Sequence, residues 1–265
     1  MKLKEKLSVC VVTHIINVDT DPYINNKMIE ETVLSAHNKL KLEDVPFYIC
    51  FDSRLKKSHP ELSNQYLENL KLQFKQEKFK NINVQVLDNT SELLRGNYIQ
   101  ISQTCNTPYM LFLEHDWEFK HEVNVKKIIK TFDNFNEVNY MRFQKFDQTE
   151  QDTYPSRNYW DYYYSNVPES DHNVPMTRIS FFSGNPHIMR TKIFNEVYLP
   201  KILHHFPIER SKGTSHFEKE FYDIIQNDIR ILGAEKAHEI WGTFAYDNIP
   251  CKQIVGHLGD WCRKK

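Results

Sequence analysis

Residues 109–119 read Tyr109-Met-Leu-Phe-Leu-Glu-His-Asp-Trp-Glu-Phe119, an apolar run that passes directly into alternating acidic and ring-bearing residues. The apolar part is typical of a strand that is buried on both faces of a parallel sheet. Side chains alternate along a strand, so Glu114 and Asp116 should lie on one side and His115 and Trp117 on the other. Ligands of open α/β sheets bind at the carboxyl ends of the strands, and this segment therefore predicts a ligand site.

Three further apolar runs precede this segment and alternate with segments of helical periodicity. The predicted strands are residues 8–14, 46–51, 83–87 and 109–113, and the predicted helices are residues 25–41, 60–78 and 91–103. The order β-α-β-α-β-α-β is typical of a mainly parallel sheet with helices on both faces. The chain is therefore predicted to belong to the α/β class.

The second half of the chain has weaker periodicity. We expect a helix at residues 123–135, strands at residues 140–143 and 178–182, a helix that begins near residue 191 and another at residues 215–226. Residues 241–261 should form short extended pieces and loops. The expected organisation is a single domain, residues 1–265, with one part at residues 1–119 and a smaller part at residues 120–265.

The composition excludes several classes of function. The 7 glycines form neither G-x-x-x-x-G-K-[ST] nor G-x-G-x-x-G, so no glycine loop is available to hold phosphates. The 34 basic and 35 acidic residues give a net charge of −1, which argues against nucleic acid as a partner. The 5 cysteines contain no C-x-x-C pair, which favours free thiols in a reducing compartment. No apolar stretch predicts a transmembrane segment, so we expect a cytoplasmic protein; peripheral membrane contact and oligomeric state stay open.

The acidic segment offers another way to hold phosphates. Two carboxylates at a strand end suit Mg²⁺ or Mn²⁺, which proteins often bind together with phosphate oxygens. A β-α-β-α-β-α-β half that ends in an acid-x-acid motif resembles the GT-A fold glycosyltransferases, whose D-x-D motif binds a metal and the diphosphate of a nucleotide sugar. In this chain the motif is Glu114-His-Asp116, with Glu in the first place.

The resemblance implies an enzyme that transfers a sugar from a UDP- or GDP-sugar to an acceptor hydroxyl, in glycan or surface polysaccharide synthesis. It implies that residues 1–119 bind the nucleotide sugar, whereas residues 120–265 bind the acceptor and complete the metal site with the C-terminal tail. The donor-binding residues that it implies are Thr13, His14, Asp52, Arg95, Asn97, Glu114 and Asp116. The ligands that it implies for Mn²⁺ or Mg²⁺ are Asp116, Glu114 and His257, and the last of these lies in Val255-Gly-His-Leu-Gly259.

The acceptor site is expected in the second half. Trp160 and Tyr162 offer flat aromatic faces with a polar handle to a sugar ring, and Gly184-Asn185 resembles the glycine turn beside the acceptor pocket of the family. Many inverting members have an acidic general base at a helix start in this region, a role that Glu218 or Glu220 could take. Ser215-x-x-Glu218 is also a capping box, in which Glu218 only satisfies a backbone N–H.

Other interpretations stay open at this point. Asp52 also suits an ordinary turn or helix cap, and His257 also suits a surface loop. A sugar nucleotidyltransferase shares the topology, but Thr13-His-Ile-Ile-Asn17 stands where its Gly- and Arg-rich signature is expected. A non-catalytic module could bind a glycan or a protein through the aromatic stretch at residues 158–165. The sequence does not choose between inverting and retaining transfer.

Overall fold

The structure, a computed structural model, describes residues 2–13, 22–52, 59–87, 93–147, 166–167, 169, 173–205 and 217–258. Contacts divide these residues into two units. The first unit contains residues up to 122 together with His257 and Leu258, and the second contains residues 123–256.

A parallel sheet of four strands forms the first unit. The strands are β1 (Leu7–Thr13), β2 (Pro46–Phe51), β3 (Asn83–Leu87) and β4 (Tyr109–Glu114), and they lie in the order β3-β2-β1-β4. The helices between them are α1 (Pro22–Leu40), α2 (Pro60–Gln73) and α3 (Leu93–Thr104). The predicted α/β class is confirmed. Each strand and helix predicted in this half is present; β2 and β3 have the predicted bounds, and the ends of the others are shifted.

Burial explains why these strands were recognisable. Every residue of β1 is buried, since β1 lies between β2 and β4 inside the sheet. In β3, at the end of the order, exposed and half-buried side chains alternate and only the last residue, Leu87, is buried. Helices pack on the sheet through aromatic pairs. Tyr98 of α3 stacks on Phe112 of β4 with ring centroids 4.4 Å apart, and Tyr66 of α2 packs on Phe51 of β2 at 5.0 Å.

The second unit has a mixed sheet. A short strand of the first unit, β5 (Trp117–Phe119), precedes this sheet. The strands of the second unit are β6 (Tyr140–Arg142), β7 (Asn166–Val167), β8 (Met176–Arg178), β9 (His187–Arg190) and β10 (Thr243–Tyr246). Their order is β9-β6-β10-β8-β7, in which only β6 and β10 pair in parallel. A last strand, β11 (Val255–His257), ends in the first unit.

Helices accompany these strands. They are α4 (Val125–Asn134), α5 (Thr191–Ile193), α6 (Leu199–His205), α7 (Phe217–Leu232) and α8 (Ala234–Trp241), and a π-helical turn (Phe194–Tyr198) joins α5 to α6. Among the residues that the structure describes, no helix has the length and apolar character needed to cross a membrane.

The predicted strand at residues 178–182 is wrong. Strand β8 ends at Arg178, and residues 179–183 are irregular although they are buried. Phe181 packs under the Arg142 guanidinium and Phe182 stacks on Phe221. These contacts bury the side chains of Phe181 and Phe182, although neither residue lies in a strand. An apolar run in a sequence indicates burial, but it does not show whether the residues pair in a sheet.

Candidate functional site

The carboxyl ends of β1, β2 and β4 meet at one edge of the parallel sheet. The register pairs Thr13 with Phe51 and Val12 with Glu114. The Asp52 N–H donates to the Thr13 carbonyl over 2.8 Å, which extends the ladder by one residue. Thr13, Asp52 and Glu114, all predicted to bind the donor, therefore lie at the same edge.

The turn after β4 is held to both β1 and α1. The His115 N–H donates to the Val12 carbonyl over 3.0 Å, and the His115 carbonyl accepts a hydrogen bond from the Thr32 hydroxyl over 2.7 Å. From residue 114 to residue 119 the odd-numbered side chains are buried and the even-numbered ones are half-buried. The alternation expected for Glu114 and Asp116 thus continues through the turn, although β4 itself ends at Glu114.

Asp116 and His257 form a side-chain pair at this turn. Asp116 Oδ2 lies 2.8 Å from His257 Nε2, and the Leu258 N–H donates to the Asp116 carbonyl over 2.6 Å. The Trp117 ring meets the His257 imidazole edge-on at 5.1 Å, which restricts the orientation of the imidazole. Within the described part of the chain, Asp116 Oδ1 is buried and has no hydrogen-bond partner. Two of the three predicted metal ligands are therefore in direct contact.

Electrostatics keep Asp116 ionised. Burial works to raise the pKa of this carboxyl, but the hydrogen bond from His257 and the attraction of its charge outweigh burial, so the pKa lies below its ordinary value. Burial lowers the pKa of His115, so its imidazole is neutral at neutral pH. The turn thus presents a partly buried carboxylate with one oxygen in need of a positive partner.

The pair fits part of a metal coordination shell. Ligand atoms that each lie about 2.1 Å from an ion are about 3 Å from one another, close to the 2.8 Å between Asp116 Oδ2 and His257 Nε2. Carboxylate and imidazole are both established metal ligands, and carboxylates suit Mg²⁺ and Mn²⁺. Glu114 is half-buried nearby in the sequence, but no group of three His, Cys, Asp or Glu side chains in the described ranges is arranged to hold an ion. An ion held here would need further ligands from phosphate or water.

Several residues that were predicted to bind the nucleotide-sugar donor are buried, and their contacts stabilise this edge of the sheet. The hydroxyl oxygens of Thr13 and Tyr66 lie 2.6 Å apart, and the Cys50 thiol donates to Asn97 Oδ1 over 3.1 Å. Asp52 is 2% exposed. Their contact with a nucleotide stays a prediction. Two further predicted donor residues lie outside the described part of the chain, His14 and the Arg95 side chain.

In the second unit, the first turn of α7 carries both predicted bases. Glu218 is exposed, whereas Glu220 is 7% exposed. Phe221 of the same helix stacks on Phe182 at 4.1 Å, and Phe182 packs on Tyr140 at 4.9 Å. Burial is the largest cause that raises the pKa of Tyr140, and the charge of Glu218 adds to it. The start of α7 therefore lies in the neighbourhood of Tyr140.

The predicted acceptor turn, Gly184-Asn185, lies in that same neighbourhood. The Asn185 N–H donates to Ser183 Oγ over 3.2 Å. The Tyr140 hydroxyl donates to the Ser183 carbonyl over 3.0 Å and can accept from the Ser183 N–H over 3.2 Å. Tyr140 and Phe182 thus lie between this turn and Phe221 of α7, the helix whose first turn carries both predicted bases. Three residues of the acceptor predictions lie outside the described residues, Trp160, Tyr162 and Ser215.

One polar group near this turn escaped the sequence analysis. Arg142 ends the short strand β6 and is 7% exposed. Its guanidinium carbon lies 4.3 Å from the centroid of the Phe181 ring. A basic residue inside the apolar run Tyr140-Met-Arg-Phe143 is the signal that could have identified it, because arginine is rarely buried without a partner.

Neither a family model nor a curated protein sequence matches the chain. Among solved structures, TarS 1–349 of S. aureus in complex with UDP aligns with a TM-score of 0.47 and 15% identity, over 95% of this chain and 60% of that chain. A second TarS structure aligns with a TM-score of 0.46 and 15% identity, over 95% of this chain and 36% of that chain. A cytidylyltransferase from Leptospira borgpetersenii aligns with a TM-score of 0.38 and 11% identity, over 92% of this chain and 76% of that chain.

The chain spans less than two thirds of the length of these TarS structures. Similarity at this level assigns neither an activity nor a ligand to the chain.

Proposed function

We propose that the chain is a metal-dependent glycosyltransferase, which transfers a sugar from a UDP- or GDP-sugar to an acceptor hydroxyl in glycan or surface polysaccharide synthesis. The observation that carries the proposal is the Asp116–His257 pair, with 2.8 Å between Oδ2 and Nε2 and with Oδ1 lacking a partner among the described residues. The pair lies where the strands of a parallel sheet end, the usual place for ligands of such sheets. A diphosphate needs positive charge, and the chain has no glycine loop to supply backbone N–H groups instead.

The residues of the first unit have defined tasks in this proposal. Asp116 and His257 would hold Mn²⁺ or Mg²⁺, and Glu114 would join them directly or through water. An ion held there would neutralise negative charge on the diphosphate leaving group. Trp117 keeps the imidazole edge fixed, and the Leu258 N–H keeps the turn closed around Asp116.

The residues of the second unit are assigned to the acceptor. The Gly184-Asn185 turn would position the acceptor, together with the aromatic stretch at residues 158–165. If transfer inverts the anomeric centre, the carboxylate of Glu218 accepts the proton of the acceptor hydroxyl. Glu218 is preferred to Glu220 because a base must reach its substrate, and Glu218 is exposed whereas Glu220 is buried.

Hydrolysis of nucleotide sugars in the absence of an acceptor tests the proposal. We expect release of UDP or GDP that requires Mn²⁺ or Mg²⁺, and a rate at least roughly 100-fold lower in Asp116→Asn, because a lost metal ligand costs at least as much as a lost supporting group. Glu122→Gln is the matched control, since Glu122 is an exposed carboxylate of the same unit, paired with Lys41 at 2.8 Å. An unchanged rate in Asp116→Asn, or activity that survives EDTA, would refute the proposal. Release of pyrophosphate would indicate a sugar nucleotidyltransferase instead.

A binding experiment gives a second readout that does not need turnover. Thermal unfolding is followed with UDP, with Mn²⁺ and with both together. A ligand that binds only the folded state raises the unfolding midpoint, so the midpoint should rise most when nucleotide and metal are both present. That joint rise should disappear in Asp116→Asn and persist in Glu122→Gln.

A further inference from the structure

Arg142 is a buried cation that forms no ion pair with any residue that the structure describes. It is 7% exposed, and one guanidinium N–H donates to Gln144 Oε1 over 3.2 Å. Its Nε–H has no acceptor, and no carboxylate pairs with Arg142 within the ranges that the structure describes. The Phe181 ring beneath it offers a cation–π contact at 4.3 Å. That contact offsets only part of the free-energy cost of burying an unpaired charge.

The side-chain amide of Gln144, beside Arg142, also has N–H groups without an acceptor among the described residues. The side chain is 1% exposed. Because its Oε1 accepts the hydrogen bond from Arg142, its amide nitrogen must point elsewhere, and that nitrogen has no acceptor among the described residues. Within the described residues, the Arg142 Nε–H and the Gln144 amide nitrogen therefore both lack acceptors, and Arg142 adds a positive charge. An anion with two or more oxygens is the ligand that such a pair of donors fits.

The surroundings connect this pair to the predicted acceptor turn. Arg142 pairs with His187 in the register of β6 and β9. The Asn185 side-chain amide donates to the carbonyl of Phe143, which lies between Arg142 and Gln144 in the sequence, over 3.4 Å. Arg142 is therefore close to the turn to which we assign the acceptor.

We propose that Arg142 and Gln144 bind an oxyanion, a phosphate or a carboxylate group, and that this group belongs to the acceptor. The second part of this statement rests on the proposed function, whereas the first part does not. An oxyanion supplies the missing acceptors to both side chains and neutralises the guanidinium. The acceptor accordingly carries an anionic group of this kind and is not a neutral sugar.

Thermal unfolding with inorganic phosphate and with acetate, each compared with chloride at equal ionic strength, tests the first part. EDTA is present throughout, so that no metal binds at Asp116. We expect a saturable rise of the unfolding midpoint with at least one of the two anions, and the anion that acts identifies the group. If neither anion gives a saturable rise, the proposal is wrong.

Substitution of single arginines shows whether the anion that raises the unfolding midpoint binds at Arg142. Arg142→Gln should weaken the affinity for the active anion about tenfold or more, the size expected for charge-assisted hydrogen bonds. Arg178→Gln is the matched control. Arg142 pairs with Ala245 and Arg178 with Phe244, so the two arginines lie on opposite faces of the sheet. Arg178 also has a buried Nε without an acceptor in the described residues, but its side chain is half-buried. An equal loss in both variants would overturn the proposal.

Gln144→Glu keeps the test decisive if Arg142→Gln does not fold. This variant places a carboxylate of the same shape beside the guanidinium, and it therefore supplies the missing counter-ion from within the protein. We expect the response to phosphate or acetate to disappear, and a response that remains would overturn the proposal. If the response is lost as expected but no nucleotide sugar is hydrolysed, the oxyanion site is upheld and its assignment to an acceptor fails with the proposed function.

Discussion

His187 should make the stability of the protein depend on pH in a measurable way. It is fully buried in β9, with its ring 4.8 Å from that of Tyr140 and 5.0 Å from that of Phe182. Its Nδ1–H donates to the Asn185 carbonyl over 2.7 Å. Burial lowers the pKa of His187 to about 4, because the charged imidazolium would be desolvated there.

The sign and size of the effect follow from the two protonation states. A histidine in the unfolded chain has a pKa of about 6.5, so between about pH 6.5 and 4 the unfolded chain binds a proton that the folded protein excludes. The contribution of His187 to the free energy of unfolding is therefore fully present above that pH window and is lost as the pH falls through it. The full loss is about 3 kcal/mol, and the share between pH 7 and pH 5 is about 2 kcal/mol.

His187→Asn isolates this contribution. The asparagine amide can replace the Nδ1–H donor toward Asn185, but it does not titrate. The free energy of unfolding in denaturant is measured at pH 7 and pH 5 for both proteins, and the wild type should lose about 2 kcal/mol more than the variant. Equal losses would show that burial does not hold His187 neutral, and the reasoning would be refuted.

Three other substitutions should change the free energy of unfolding in denaturant. Gly242→Ala should cost about 3 kcal/mol, because at φ 51° its Cβ would collide with the Glu137 carbonyl, and a near-neutral result would contradict the backbone described here. Thr13→Val should cost about 1–3 kcal/mol by leaving the buried Tyr66 hydroxyl without its partner, and adding Tyr66→Phe should recover part of that; additive losses would argue against the hydrogen bond. Arg190→Gln should cost about 3 kcal/mol, since its guanidinium donates to the backbone carbonyls at the end of α4 and beyond; a loss within experimental error would exclude that role.

The first half of the fold was predictable because its physics is local. Each of β1, β2 and β4 is an apolar run between helical segments, and burial inside a parallel sheet requires such a run. The edge site followed from the same pattern, since acidic residues directly after β4 must lie where that strand ends. The position of Asp116 was therefore implied by residues that are its neighbours in the sequence.

The side-chain contacts of the site were harder to predict from the sequence. The resemblance to GT-A enzymes suggested His257 as a ligand beside Asp116, but no local pattern encodes a contact between distant segments. Arg142 was missed although its strand was predicted, because its packing against Phe181 joins segments that are distant in the sequence. Burial and pairing also cannot be separated in a sequence, which is why residues 179–183 gave the pattern of a strand.

The discontinuity of the first unit has a consequence for synthesis of the protein. His257 and Leu258 belong to the unit that also contains residues up to 122, although residues 123–256 lie between them in the sequence. A ribosome therefore releases the Asp116 turn well before the imidazole and the backbone N–H that complete its contacts. A translation product that ends before residue 257 lacks the Asp116–His257 pair, however well its parallel sheet forms.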